Sequence, residues 1–121
     1  MTAAEALQME TKIELAQRRI CANHGARFEP CADTSTVEVA GGLRDGQYPI
    51  HGWRREGAGK ASGWFIWSGD TGGRMDTFFP LQVGHLRERA PITLPFLALG
   101  PGWRFMVTAD DIQIWEGDQA P

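Results

Sequence analysis

The first 24 residues show the hydrophobic and polar pattern of an α-helix. Good helix formers dominate residues 3–24, and Leu7, Ile13 and Ile20 contribute to a rough apolar stripe with a 3.6-residue period. Acidic side chains come early in this stretch and basic ones late, an order that suits the helix dipole. Gly25 follows, and glycine commonly ends a helix. We therefore predict a helix over residues 3–24, with frayed turns over about the first ten residues.

Alternation of apolar and polar residues predicts strands along the rest of the chain. The strand candidates are "STVEVAGG", "YPIHGWRR", "GWFIWSG", "WRFMVTA" and "DIQIWEG". Pro49 favours an edge position for the second of these, because proline cannot donate to a ladder. The last two predict a terminal hairpin, with Trp103, Phe105 and Val107 on one face and Ile112 and Ile114 on another.

Between these strands, "FFPLQVGHLRERAP" predicts a second helix. We expect it to open after Phe79, with Pro80 in its first turn, and to end at Pro91. Together these elements predict an α+β fold in a single domain over residues 1–121. We expect a mainly antiparallel sheet of four to five strands, with the N-terminal helix and the second helix packed on it.

The run "ASGWFIWSGD" is the most convincing strand, and it is apolar on both of its faces. Trp64 and Ile66 point to one side of a strand, whereas Phe65 and Trp67 point to the other. We expect Trp64 to lie in the core. The face that carries Trp67 must be packed against a second element, either the N-terminal helix or a partner. Exposed aromatic side chains are favoured interface anchors.

Composition and charge exclude several classes of function. The chain has 121 residues, a net charge of −3 and a pI near 5.5, with no basic stripe. These values argue against a nucleic-acid partner and against an anionic membrane surface. No apolar run approaches the roughly 20 residues of a membrane span, and the N-terminus has no signal-peptide core. We therefore expect a cytoplasmic protein whose two cysteines are reduced.

Candidate chemical motifs are weak. Cys21, His24 and Cys31 have zinc-like spacing but no obvious fourth ligand, so buried thiols are the ordinary interpretation. The stretch "EGAGKASG" resembles a phosphate-binding loop, yet Arg54 stands where the first glycine should be and Ala61 where Ser or Thr should be. The histidines lie in no recognisable nucleophile motif. We predict no catalytic residue, no metal site and no cofactor.

Acidic residues concentrate in loops and at strand ends. They are Asp70, Asp76, Asp110, Asp111, Glu116 and Asp118. Their ordinary role is solubility, whereas recognition of a basic partner is the alternative, since complementary charge speeds encounter. Paired carboxylates could also serve hydrolysis or metal binding.

Three segments together resemble the immunity protein thirty-three-like family of bacterial polymorphic toxin systems. They are the glycine–tryptophan strand from Gly63 to Asp70, the segment from Phe78 to Leu86, and the closing part from Leu97 to Phe105, with Trp115 and Asp118 after it. The resemblance covers residues 20 to 118. The sequence departs from the family pattern at Gln82, where we expect histidine, and at Gly100, where proline is usual. Glu116 and Gly117 also separate Trp115 from Asp118.

The resemblance implies a small intracellular α+β protein that binds and neutralises a cognate protein toxin, with no catalytic residues. The leading hypothesis is therefore occlusion of the toxin by an aromatic and acidic surface. Its candidate contact residues are Trp67, Asp70, Asp76, Asp110, Asp111 and Glu116. The alternative is a small-molecule or peptide binding domain with a tryptophan-lined pocket, and a hydrolase ranks last. The sequence assigns neither the toxin nor an oligomeric state.

Overall fold

A computed structural model of the protein describes residues 2–40, 42–69 and 78–117. In chain order its elements are α1 (Ala3–His24), β1 (Thr36–Ala40), β2 (Ile50–Arg54), β3 (Ala61–Ser68), β4 (Phe79–Gln82), α2 (Val83–Arg89), a 3-10 helix (Pro91–Phe96), β5 (Trp103–Val107) and β6 (Ile112–Glu116). The strands form one sheet of order β4-β1-β3-β2-β5-β6. Only the β1–β3 pair is parallel among these strands. The predicted α+β class is confirmed, with six strands in the sheet.

Both ends of α1 are where the sequence predicts them. The Thr2 hydroxyl accepts a hydrogen bond from the Glu5 amide, and Gly25 ends the helix in the left-handed conformation at φ 68°. Among the described residues, the contacts of α1 with the rest of the molecule extend from Glu10, whose carboxylate lies 3.8 Å from Arg87 Nη2, to the C-terminal end of the helix. Cys21 is its buried residue, and the Gln17 side chain donates to the Leu94 carbonyl at 2.8 Å.

Strand β3 is central, as its apolar character suggests, with β1 on one side and β2 on the other. The prediction that Pro49 would push its strand to an edge is wrong, because β2 lies between β3 and β5. Pro49 stands just before the first strand residue, Ile50, so its missing N–H removes no ladder hydrogen bond.

The predicted start of the second helix is also wrong. Residues Phe79–Gln82 form β4, which pairs antiparallel with β1 at the sheet edge, and α2 begins only at Val83. Pro80 lies opposite Glu38 in this pairing. Proline is tolerated at an edge as readily as in a first helical turn, so its presence did not distinguish the two structures.

The terminal hairpin is confirmed, but the predicted separation of its apolar faces is wrong. Phe105 pairs with Ile114, and Val107 pairs with Ile112, so all four side chains project from the same side of the sheet. Directly opposed residues of two strands share a face, and the register that decides this is set by the turn. That turn closes with a hydrogen bond from the Thr108 amide to the Asp111 carbonyl at 2.9 Å.

The core lies between one face of the sheet and the helices. Its sheet side chains are Val37, Val39, Ile50, Trp64, Ile66, Phe105 and Val107, and the helical segments supply Cys21, Leu86, Leu94 and Phe96. Trp64 is fully buried, as predicted, and its ring centre lies 5.5 Å from that of Phe105. A Cβ atom at Gly52 would overlap the Phe105 ring, so this position requires glycine.

The segment after the 3-10 helix is fixed by side chains that donate to its carbonyl groups. The Leu97 carbonyl accepts from the Trp64 indole at 3.0 Å, from Arg54 Nη1 at 3.3 Å and from Cys31 Sγ at 3.4 Å. A buried segment outside regular secondary structure needs such donors, because its carbonyl groups would otherwise have no hydrogen-bond partner.

Arg54 is the centre of this network. Its charged side chain is buried, with only 8% of the residue exposed. Its Nη1 also donates to the carbonyls of Leu99 at 2.8 Å and Glu29 at 2.6 Å, and its Nε donates to the carbonyl of Ser62 at 3.0 Å. The guanidinium group therefore joins three separate chain segments.

Within the described residues, no helix is both long and apolar enough to cross a membrane.

Candidate functional site

The sheet face opposite the core carries a second set of aromatic and charged side chains. They are Glu38, His51, Trp53, Phe65, Trp67, Arg104, Met106, Gln113 and Trp115, and we call this set the open face. All are half-buried, and none belongs to the buried core cluster. In the part of the chain that the structure describes, α1, α2 and the 3-10 helix pack on the other side.

Trp67 lies on the open face, as its alternation with Trp64 predicts. Its ring stacks on His51 with a centre distance of 5.1 Å and an angle of 16°. Phe78 meets Trp67 edge-on at 6.1 Å and also meets Phe65 at 5.3 Å. Aromatic neighbours thus hold Trp67 in place while part of its surface stays accessible, which is the condition for an interface anchor.

Trp53 is the centre of a second cluster on the open face. The Arg104 guanidinium lies 4.2 Å from the Trp53 ring centre, and that of Arg55 lies 5.1 Å from it. Arg55 also lies 5.9 Å from the Phe65 ring and is exposed. Trp115 is the cross-strand partner of Arg104, and its buried indole N–H has no acceptor among the described residues. This part of the face is rich in donors and cations.

The candidate acids Asp110 and Asp111 lie in the exposed turn between β5 and β6. The Thr108 hydroxyl accepts hydrogen bonds from both of their amides, at 3.3 Å and 2.9 Å. The Asp111 carboxylate accepts from the Gln113 amide group at 3.4 Å, and Gln113 belongs to the open face. The turn therefore presents its carboxylates at the border of that face.

The structure brings this turn to the same end of the sheet as Trp67. Ile50 pairs with Ser68 on one side and with Val107 on the other. The end of β3 just after Trp67 and the end of β5 just before the turn therefore lie at the same edge of the sheet. Glu116 lies at the opposite end of β6, where it pairs with Trp103. Asp70 and Asp76 lie outside the described residues.

Sequence reasoning missed His51, Trp53, Arg55 and Arg104. A signal for two of them was present, since Trp53 and Arg104 alternate with Gly52 and Phe105 along strands whose other side is buried. Their contact depends on the pairing of β2 with β5, which local patterns do not specify.

The two thiols act as hydrogen-bond donors in the core. Cys21 Sγ donates to the Ala98 carbonyl at 3.6 Å, and Cys31 Sγ donates to Leu97. Burial raises the pKa of the Cys21 thiol, and the Glu29 carboxylate raises it further. Burial also raises the pKa of the Cys31 thiol, although the Arg54 charge opposes this. The described residues contain no group of three or more His, Cys, Asp or Glu placed to hold a metal ion.

A surface concavity of about 730 Å³ lies away from the open face. It is lined by Gly42, Leu43, Arg44, Leu81, His85, Glu88 and Arg89. No tryptophan lines it, so it differs from the tryptophan-lined pocket that the alternative hypothesis requires.

Comparison with known proteins addresses the family resemblance directly. Residues 16–117 match the Imm33-like domain, and this range includes all six strands, α2 and the 3-10 helix. No curated protein and no solved structure matches the chain. The match covers well over half of the chain and confirms the resemblance seen in its three motif segments. The chain belongs to the Imm33-like domain family.

Proposed function

We propose that this chain is an immunity-type binding protein that neutralises a cognate protein toxin by covering the toxin's functional surface. Membership of the Imm33-like family is the observation that carries the proposal. The open face supports it, because three tryptophans, Trp53, Trp67 and Trp115, are half-buried on a side of the sheet that the core does not use. Tryptophan and arginine are the side chains most enriched at binding hot spots.

The size of the open face suits a protein partner. Six strands at about 4.8 Å spacing and about five residues each give a projected area of roughly 500 Å². A stable interface buries about 800 Å² on each partner. A toxin would therefore cover the whole face and its border, including Trp67, Asp110 and Asp111. We retain Asp70, Asp76 and Glu116 as further proposed contacts.

Occlusion of this kind requires no chemistry from the chain itself. Binding energy alone keeps substrate from the toxin's site, and the proposed protein is therefore a non-enzymatic inhibitor. Its partner is a single protein, and its affinity depends on how well the aromatic centre of the face is desolvated.

Co-expression with the product of the adjacent gene tests the proposed function. We expect the wild-type chain to restore growth to cells that produce this toxin candidate, and to form a complex with it that survives size-exclusion chromatography. A chain with Trp64→Gly, which disrupts the core, serves as the negative control. Absence of both protection and binding with the wild-type chain would contradict the proposal.

A further inference from the structure

The sheet has two edge strands, β4 and β6, and their outward backbone groups differ. Just after β4, the Val83 amide donates to the Ser35 carbonyl at 2.8 Å. Because hydrogen-bonded and non-hydrogen-bonded residues alternate along an antiparallel pair, the backbone of Pro80 faces away from β1. Proline has no N–H, so the β4 edge lacks a donor that an added strand would need.

The outward backbone groups of β6 follow from the hydrogen bonds at both ends of its pairing with β5. At the turn, the Thr108 amide donates to the Asp111 carbonyl at 2.9 Å, and at the other end the Gly117 amide donates to the Gly102 carbonyl at 3.0 Å. Both bonds fit one register, so every second residue of β6 bonds to β5, and the residues between them turn their N–H and C=O groups outward. The outward residues are Ile112, Ile114 and Glu116. Among the residues that the structure describes, no strand pairs with β6 on this side.

The sequence of β6 favours pairing with a further strand. Native edge strands commonly carry a proline, a lysine or a bulge that prevents pairing with another chain. The five residues of β6 include no proline and no lysine, and their pairing with β5 is regular. Ile112 is 54% exposed at the start of the strand, and β-branched residues suit strands. Of the two edges, β6 is therefore the one suited to receive a strand.

Both ends of β6 are acidic. Asp110 and Asp111 precede the strand and Glu116 ends it, whereas residues 108–117 contain no lysine, arginine or histidine. Arg104 lies one strand further in, with its guanidinium over the Trp53 ring of β2. A strand that docks on this edge therefore meets carboxylates at its two ends.

The one cation that shares a concavity with Glu116 does not change this. Arg27 lines that concavity together with Glu29, Glu56 and Glu116. Three carboxylates thus stand against one guanidinium at this end of β6. A segment with basic side chains is the complement of such a border, because opposite charges speed encounter and fix the register.

A second copy of this chain fits the edge poorly. Two β6 strands paired antiparallel would bring the acidic start of each strand next to the acidic end of the other, and like charges across paired strands are destabilising. A nucleic acid has no peptide N–H and C=O groups to continue the ladder. The occupant that matches both the backbone and the charge is an extended, basic segment of another protein.

We propose that β6 receives an extended segment of the toxin as a seventh strand, held by main-chain hydrogen bonds, with basic side chains of that segment beside Asp110, Asp111 and Glu116. Gln113 and Trp115 of β6 belong to the open face, so the added strand would extend that face and one partner would contact both. This inference rests on the proposed function and adds how the toxin is held and the chemistry of its contacting segment.

Amide hydrogen exchange along β6, measured by NMR with and without the purified product of the adjacent gene, tests the main-chain pairing. In the free chain we expect fast exchange at Ile112, Ile114 and Glu116 and slow exchange at Gln113 and Trp115, whose amides bond to β5. In the complex we expect the exchange of the three outward amides to slow by at least about tenfold, so that the alternation along β6 disappears.

Proline at an outward position separates the main-chain contact from a side-chain contact. Ile112→Pro removes one outward N–H but no bond to β5, and an edge strand accommodates proline there. Ile112→Ala is the matched control, since it removes the side chain and keeps the N–H. After circular dichroism has confirmed the fold of both variants, we expect Ile112→Pro to raise the Kd for the toxin candidate about tenfold over that of Ile112→Ala.

Neutralising the acidic start of β6 tests the charge of the segment. The variant combines Asp110→Asn with Asp111→Asn, and its control combines Glu5→Gln with Glu14→Gln on α1, which changes the net charge equally. We expect the association rate at low salt to fall about fivefold in the variant and less than about twofold in the control. Equal rates would overturn the basic character of the docking segment.

Three further outcomes would overturn the inference. A wild-type complex whose outward β6 amides still exchange fast, and in which Ile112→Pro binds as tightly as Ile112→Ala, would do so while the proposed function stands. A wild-type chain that neither binds nor protects would overturn both. Slow exchange of the same amides in the free chain that becomes slower with its concentration would assign the edge to a second copy.

Discussion

Arg54 and Arg55 are neighbours in sequence with opposite environments. Arg54 is 8% exposed and donates to carbonyls of several chain segments, whereas Arg55 is exposed beside two aromatic rings. Arg54 is the last residue of β2, and Arg55 follows it on the same side of the sheet as Trp53, whose ring its guanidinium contacts. One arginine therefore belongs to the fold and the next to the candidate binding surface.

We predict that Arg54→Ala lowers the free energy of unfolding by about 3 kcal/mol, because the carbonyls of Glu29, Leu99 and Ser62 lose their side-chain donor. Arg55→Ala is the matched control, and we expect it to cost less than about 0.5 kcal/mol. Urea unfolding of the two variants and the wild type gives the comparison. Equal losses in both variants would refute the structural role of Arg54.

At the scale of elements, α1 is anchored unevenly along its length. Leu7 near its start is 65% exposed, whereas Ile13, Ile20 and Cys21 contact the core. The family match also begins within the helix, at residue 16. Packing, rather than helix propensity, is what stabilises most helices in proteins.

We therefore predict that amides of residues 3–10 exchange with solvent at least about tenfold faster than those of residues 17–24. Hydrogen exchange measured by NMR distinguishes the two halves within one sample. Uniform protection along α1 would show that the first turns are held by contacts other than the core.

The segment after the 3-10 helix depends on protonated thiols. Cys21 and Cys31 both donate to its carbonyls, and burial raises the pKa of each thiol above the usual 9.0. The folded state therefore holds a proton that the unfolded chain releases above that pH. This contribution to stability is complete below pH 9.0 and is lost as the pH rises through the folded-state pKa.

We expect the free energy of unfolding to fall as the pH rises above 9.0, and to fall less steeply in the double variant Cys21→Ala, Cys31→Ala. Urea titrations across this range measure the slope for each protein. The difference between the two slopes removes the effects of all groups that the two proteins share. Parallel slopes would indicate that the thiols keep their ordinary pKa values in the folded chain.

Across the whole molecule, helices and sheet share one core. Residues from α1, α2, the 3-10 helix and strands β1, β2, β3 and β5 all belong to the same buried cluster. Small domains with one such cluster unfold cooperatively. We predict a single thermal transition, with the same midpoint by tryptophan fluorescence and by far-ultraviolet circular dichroism. Separate midpoints would show that part of the sheet unfolds independently.

Features that depend on neighbouring residues could be predicted from the sequence, whereas features that depend on residues far apart in the chain could not. The boundaries of α1 depend on local composition and caps at Thr2 and Gly25, so the sequence specifies them. The local sequence does not specify whether Phe79–Gln82 forms a strand or a helix, because Pro80 suits an edge strand and a first helical turn equally. Trp67 could be assigned from the alternation of β3 alone. The cluster of Trp53 with Arg104 required the pairing of β2 with β5, about 50 residues apart in sequence.

The alternation of the strands has a practical consequence for redesign. Residues that maintain the core and residues that could recognise a partner occupy interleaved positions of the same strands, as Gly52 and Trp53 or Ile66 and Trp67 do. A combinatorial library that varies only the outward positions of β2, β3, β5 and β6 would leave every core contact of the sheet unchanged. Selection from such a library could therefore yield binders of new targets on a scaffold whose core is unchanged.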